Sequence, residues 1–166
     1  MDSCYTDTPL GLAEISGNQD GIASVTVLNF NSEDEKQAFL QKQESHIPET
    51  LEDCVIQLQE YFRGERQKFS LKLNPKGTDF QHNIWKLLQT IPYGKTMSYL
   101  ELSKKFGDVK AIRAVAGANG KNPLWIVVPC HRVIGSDGSL TGYAGGLHRK
   151  QWLLNHESPV KQQRLF

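Results

Sequence analysis

The stretch Leu124-Trp125-Ile126-Val127-Val128-Pro129-Cys130-His131-Arg132-Val133 decides the reading of this chain. Its first five residues are apolar and rich in β-branched side chains. Five residues are too few for a helix, so the run is predicted to be a buried strand. Pro129 lacks a ladder donor and ends it. Cys130 is then delivered at the end of a rigid element with His131 beside it. A thiol becomes a strong nucleophile only on losing its proton, and an adjacent base supplies that step. Free cysteines are also common small core residues, so the neighbours must decide between a packing role and a chemical one.

The totals narrow the field. At 166 residues the chain holds one ordinary domain or two small ones, and 39% hydrophobic with 22% charged residues is the composition of a globular protein. No apolar run approaches the roughly 18–20 residues of a membrane span, and no basic-then-apolar leader opens the chain, so no membrane partner is expected. Cys4, Cys54 and Cys130 are widely spaced and odd in number, which points to free thiols in a reducing compartment, the cytoplasm, or the nucleus for a eukaryotic source. Residues 1–76 carry seven basic and thirteen acidic residues, net −6, whereas residues 77–166 carry twelve and five, net +7. The change falls at Asn74-Pro75-Lys76-Gly77, which has linker chemistry. Domains 1–76 and 77–166 are expected, the second facing a polyanion.

In the first half, Leu10–Ile15 and Ile22–Leu28 read as a hairpin around a five-residue loop, Gly17–Gly21. Leu51, Val55, Leu58 and Phe62 share one helical face, with Gly64 as the stop. Phe69, Leu71 and Leu73 alternate as a strand. Cys54 falls on the helix's apolar face and reads as core, while Cys4 reads as an incidental terminal residue. His46 with the two cysteines has no zinc-ligand spacing, so no metal is expected. This half reads as a scaffold.

In the second half, Thr78 with Gln81 and Ser98 with Glu101 form two capping boxes, each opening a helix. The first helix is expected to bury Phe80, Ile84, Leu87 and Leu88, the second Leu102 and Phe106. Gly107 stops the second helix and Asp108 caps a third, Val109–Asn119. Two short helices around a glycine turn make a helix-turn-helix candidate. Ala111, Ala114 and Ala118 would give a small-residue stripe for close approach to a groove, with Lys110, Arg113 and Lys121 supplying charge. An amphipathic helix with a solvated basic face is the plain alternative, but the +7 balance favours DNA. Ile134–Leu140 reads as a turn between short strands. Gly142-Tyr143-Ala144-Gly145-Gly146 is a glycine-rich loop with no Lys-Ser/Thr after it, so it is not a phosphate loop. Leu147–His156 is the last helix, and Glu157 ends it.

Taken together, Ile91-Pro92-Tyr93-Gly94-Lys95, Arg113-Ala114-Val115, Asn122-Pro123, Pro129–Val133, Gly142–Gly146 and Lys150-Gln151-Trp152-Leu153-Leu154 resemble, in order, the O6-alkylguanine-DNA alkyltransferases. The resemblance covers Phe80–Glu157. It implies an α/β ribonuclease-H-like first domain, a small sheet plus helix. A mostly α, winged-helix-like second domain with the helix-turn-helix would follow. It further implies a monomer without cofactor that acts once on double-stranded DNA containing O6-alkylguanine, moving the alkyl group to its own Cys130. O4-alkylthymine is a further possible substrate. By resemblance His131 takes the thiol proton, through a water in family members, and Glu157 orients that imidazole. Asn122 holds the turn around the cysteine, and Tyr99 donates to N3 of guanine. Tyr143 and the Ala144 amide line the base pocket, and the Val133 and Cys130 carbonyls face the exocyclic amine. Arg113 fills the stack after the nucleotide leaves it, and the helix-turn-helix enters the minor groove, where the alanines would fit. Trp125 stands at a variable wall position. A DNA-binding regulator without chemistry would lack the motif cysteine, and a cysteine hydrolase would turn over repeatedly.

Overall fold

The computed structural model describes residues 1–159, and the chain divides into two units, one from Met1 to Pro75 and one beginning at Lys76. The first unit holds a three-stranded antiparallel sheet, β1 (Asp2–Thr8), β2 (Gly11–Asn18) and β3 (Gly21–Val27), in the order β1-β2-β3. Behind it come α1 (Glu33–Gln41) and, after a 3₁₀ turn at Glu49–Leu51, α2 (Glu52–Phe62). Ile15 and Val25 meet across the β2–β3 ladder and are fully buried. They form one core with Leu51, Cys54, Leu58 and Tyr61, all fully buried as well. Each such side chain contributes about 1.5–3 kcal/mol by leaving water.

Three expectations for this unit need correction, and one helix was not expected. The turn between β2 and β3 is two residues, Gln19-Asp20, with the Asp20 amide donating to Asn18 Oδ1 at 2.8 Å. The flanking glycines belong to the ladder: Gly21 has φ +136°, and a Cβ there would lie 2.9 Å from the Lys72 carbonyl oxygen. Cys4 is core, in an edge strand where it pairs with Ile15. Its strand, Asp-Ser-Cys-Tyr-Thr-Asp-Thr, has too little apolar alternation to read from sequence. Phe69–Leu73 keeps its alternation, the three apolar residues half-buried, yet joins the sheet only through a single Leu73–Ile22 bridge. Finally, α1 buries none of its residues and so has no apolar period to detect. It rests on ring contacts, Phe39 lying 5.2 Å from Tyr5.

In the second unit both capping boxes form. Thr78 accepts from the Gln81 amide at the start of α3 (Asp79–Leu88), and Ser98 from the Glu101 amide at the start of α4 (Tyr99–Phe106). Gly107 ends α4 with φ +103°, a value only glycine takes without cost. Asp108 then caps a 3₁₀ turn, Val109–Ala111, that runs into α5 (Ile112–Gly120). The third helix of the sequence reading is therefore 3₁₀ in its first turn. Ile84, Trp85 and Leu88 fill the core with Leu102 and Val115, while Phe80 and Leu87 are only half-buried. The Trp85 indole donates to the Ala118 carbonyl at 2.9 Å.

That contact breaks the expected alanine stripe. Ala118 is buried, Ala111 is half-buried and Ala114 is exposed, so the three do not share a free face. Rotation about the axis is not the cause, since positions i and i+7 of a regular helix differ by only about 20°; Ala111 lies in the 3₁₀ turn before α5, whereas Ala118 lies near the far end of α5, where Trp85 meets it. Two more strands, β4 (Met97–Ser98) and β5 (Val133–Ile134), pair in parallel and tie the start of α4 to the segment after Cys130. The turn after β5 closes through Gly135 N–H to Ser139 O at 2.9 Å, and among the described residues no second strand follows it. The last helix among the described residues is α6 (Leu147–Glu157).

Candidate functional site

The apolar run before Cys130 is not a strand. Leu124–Val128 folds into successive turns, and Cys130–Arg132 forms a 3₁₀ turn. The cause is Asn122. Its Nδ2 donates to the Leu124 carbonyl at 3.2 Å and the Val128 carbonyl at 2.9 Å, and its Oδ1 accepts from the Leu124 amide at 3.0 Å. One side chain thus satisfies the backbone groups that a neighbouring strand would otherwise pair. The turn forces Ile126 to φ +74°, a costly left-handed conformation for a β-branched residue, of order 1–3 kcal/mol. Burial of Leu124, Ile126, Val127 and Val128 compensates. Apolar content dictated that the run be inside; a single asparagine dictated its shape.

Cys130 is 3% exposed and His131 is fully buried. Burial pushes the Cys130 thiol up to about 11, against the lowering effects of Asn122 and the Lys150 charge. The resting sulfur is therefore protonated, and it needs a base within the fold. His131 Nε2 lies 2.8 Å from Glu157 Oε2. The carboxylate can only accept, so Nε2 carries the hydrogen and Nδ1 is the basic nitrogen. Nδ1 is buried and has no hydrogen-bond partner among the described residues. Burial also pushes His131 below the ordinary histidine range, with Glu157 opposing. The imidazole is neutral and free to accept a proton.

Glu157 is 3% exposed. Desolvation raises its pKa, but the hydrogen bonds from His131 and Arg132 and the Arg132 charge outweigh that and hold the carboxyl well below the carboxylate range. Arg132 grips both oxygens, Nε to Oε1 at 2.8 Å and Nη2 to Oε2 at 3.0 Å. Sequence reasoning treated Arg132 only as part of a motif. Lys150 was missed in the same way. Its ammonium is buried and donates to Val133 O and Thr141 O, both at 2.6 Å, and to Gly142 O at 3.3 Å. It pins the glycine-rich loop to β5. Desolvation lowers it to about 8. A buried Lys reads as a solvated one in sequence, because only the fold brings the carbonyls to it.

A cavity of about 590 Å³ lies between α4, α5 and the glycine-rich loop, lined by Tyr99, Arg113, Asn119, Tyr143 and Ala144 among others. The structure therefore brings together four residues singled out from sequence, and adds Asn119, whose Nδ2 lies 3.5 Å from the Cys130 carbonyl. Tyr99 Oη is 3.4 Å from the Thr141 carbonyl. Tyr143 is pushed well above the ordinary tyrosine range by burial, and its hydroxyl lacks a partner among the described residues. Trp125 packs on Tyr143 with centroids 5.7 Å apart. A Cβ on Gly145 would lie 2.8 Å from the Tyr143 ring, so glycine is required for this packing. The Val133 carbonyl accepts from Lys150, and the Cys130 carbonyl accepts from the Val133 amide. Lys110 is exposed on the 3₁₀ turn before α5.

Comparison with known proteins follows the same division. Residues 3–75 match the ribonuclease-like domain of 6-O-methylguanine DNA methyltransferase, and residues 79–159 match its DNA binding domain. The chain is 43% identical to a methylated-DNA–protein-cysteine methyltransferase of Mycolicibacterium paratuberculosis, over 89% of this chain and 87% of that one. It is 44% identical to the constitutive methylated-DNA–protein-cysteine methyltransferase of Bacillus subtilis, over 91% and 92%. Among solved structures, Mycobacterium tuberculosis OGT in complex with DNA superposes with a TM-score of 0.79 at 40% identity, covering 95% of both chains. The chain thus belongs to the 6-O-methylguanine DNA methyltransferase family.

Proposed function

We propose that the protein repairs O6-alkylguanine in double-stranded DNA by taking the alkyl group onto Cys130, once per chain. The observation that carries this reading is the order Cys130, His131, Glu157: a buried thiol, a neutral imidazole with one basic nitrogen, and a carboxylate that fixes the tautomer. The S–C bond forms as the O6–C bond breaks. The thiol proton passes to His131 Nδ1 through a water; guanine, leaving as its anion, takes a proton at N1 from water, and the imidazolium returns its proton to water, so atoms and charge balance. Tyr99 donates to N3 as charge builds on the purine.

O6 is stacked inside a duplex and faces the major groove, whereas the sulfur is almost wholly buried. The nucleotide must leave the stack, at a cost of a few kcal/mol. Arg113 is exposed on α5 at the cavity rim and fills the gap, with α5 approaching from the minor groove. In this reading exposed Ala114 and half-buried Ala111 meet DNA, and exposed Lys110 contacts phosphate. Tyr143 and Ala144 form the wall of the base pocket. The reacting groups all come from one unit of one chain, so a monomer suffices. Three free thiols suit the cytoplasm.

The test is stoichiometry. Excess oligonucleotide with one labelled O6-methylguanine should transfer one methyl per chain and then stop, with no release of methanol. Continued turnover would indicate a hydrolase, and tight DNA binding without transfer a regulator.

A further inference from the structure

The motif Ile91-Pro92-Tyr93-Gly94-Lys95 touches neither the thiol nor the cavity, yet it holds the residue next to the base. Arg132 Nη1 donates to the Ile91 carbonyl at 2.7 Å, and its Cζ sits 5.7 Å from the centre of the Tyr93 ring. The other two guanidinium nitrogens bind both oxygens of Glu157. Arg132 is only 6% exposed, so this is a built clamp and not a surface ion pair.

Charge counting shows what the clamp does. A buried carboxylate beside a lone imidazole draws a proton onto the ring, because the ion pair is the cheapest way to hold the negative charge. That ring would carry hydrogen on both nitrogens and could accept nothing. Here the guanidinium already neutralises Glu157. A proton on His131 would leave the Glu157, Arg132 and His131 group with a net positive charge, with Arg132 on its own turn and the Lys150 ammonium of α6 both opposing it. Tyr93, packed on Arg132, stays neutral, burial raising its pKa first and Glu157 next. Cys130 is the remaining titratable neighbour and is a neutral thiol until it reacts.

We propose that Arg132 is a positioning residue for the transfer: by gripping both oxygens of Glu157 it keeps His131 a neutral imidazole, with Nδ1 free to take the Cys130 proton. The Ile91–Lys95 turn exists to hold that guanidinium. This rests on the repair reading above.

The experiment joins NMR titration of the His131 ring with the pH profile of methyl transfer from O6-methylguanine DNA. The unaltered protein should keep His131 neutral at pH 7 and below the free histidine value of about 6.5. Arg132→Gln should move the ring upward by at least about one pH unit, shifting the acid limb of transfer with it and lowering the rate at neutral pH by about tenfold or more. Raising the pH should recover that loss. Arg132→Lys keeps the charge and should restore the neutral ring and the profile. A glutamine variant that is slower by one factor at every pH, with the ring unmoved, makes Arg132 merely structural and overturns the proposal. So does a lysine variant whose ring titrates like that of the glutamine variant. If the glutamine variant does not fold, a His131 already protonated at pH 7 beside intact Arg132 overturns it without any variant. Failure of the unaltered protein to transfer would count against the repair reading, while the ring titration still reads Arg132 separately.

Discussion

Cys54 and Cys130 are both buried cysteines, and burial makes both poor acids. Desolvation raises Cys54 to about 12, with Cys4 adding a smaller push, and raises Cys130 to about 11. Resting acidity hardly separates them. Their surroundings do. Cys54 sits on α2 with buried Val55 and Leu58, and among the described residues nothing there opposes the raising effect of burial. Cys130 has Asn122 and the Lys150 charge to favour the anion, and a neutral imidazole as its immediate neighbour. A reactive thiol here is one that can hand its proton on at the moment of reaction, not one that has already lost it.

The largest effect expected from breaking this contrast is in Cys130→Ala. It should abolish methyl transfer while leaving DNA binding, measured by gel shift, intact. Cys54→Ala should transfer at the unaltered rate.

Next is Glu157→Gln. It strips the counter-charge from buried Arg132 and should destabilise the second unit by about 3–5 kcal/mol in denaturant unfolding, besides slowing transfer. The pH dependence has the same origin. The folded pKa of Glu157 lies below its unfolded value of about 4.3, so its stabilisation is present above that pH and lost as pH falls toward the folded value. The unaltered protein should lose stability on acidification through this range, and Glu157→Gln should flatten that part of the curve.

Arg113→Ala sharpens the contrast from the DNA side. It should slow repair of duplex DNA far more than reaction with a free O6-alkylguanine base, because only the duplex needs its stack filled. Equal losses on both substrates would remove Arg113 from that role. The smallest effect is the stability of Cys54→Ala, a loss of about 1 kcal/mol for one buried sulfur, readable by thermal melting.

How much of this was legible in the sequence differs between the two units. Both capping boxes, the Gly107 stop and the Asp108 cap were readable because they are local: donor, acceptor and φ all lie within four residues. The strand β1 and helix α1 were not, because tertiary pairing and ring contacts hold them in place of an apolar period. The strand expected at Leu124–Val128 failed for a related reason. Five apolar residues specify burial, and Asn122, two positions upstream, converts them to turns. In the site, Cys130 and His131 stood out from the residues themselves and Glu157 from the resemblance, whereas Arg132 and Lys150 needed the fold. A buried cation is visible only when its partners, Glu157 and Ile91 for one and Val133 and Thr141 for the other, are brought from distant positions.

Mass mapping of the protein after reaction with O6-methylguanine duplex decides whether Cys130 is the acceptor. A single added methyl is expected on the peptide containing Cys130, with those containing Cys4 and Cys54 unmodified. A protein that stays unmodified in excess lesion DNA, or one whose methyl lies on another residue, would contradict it.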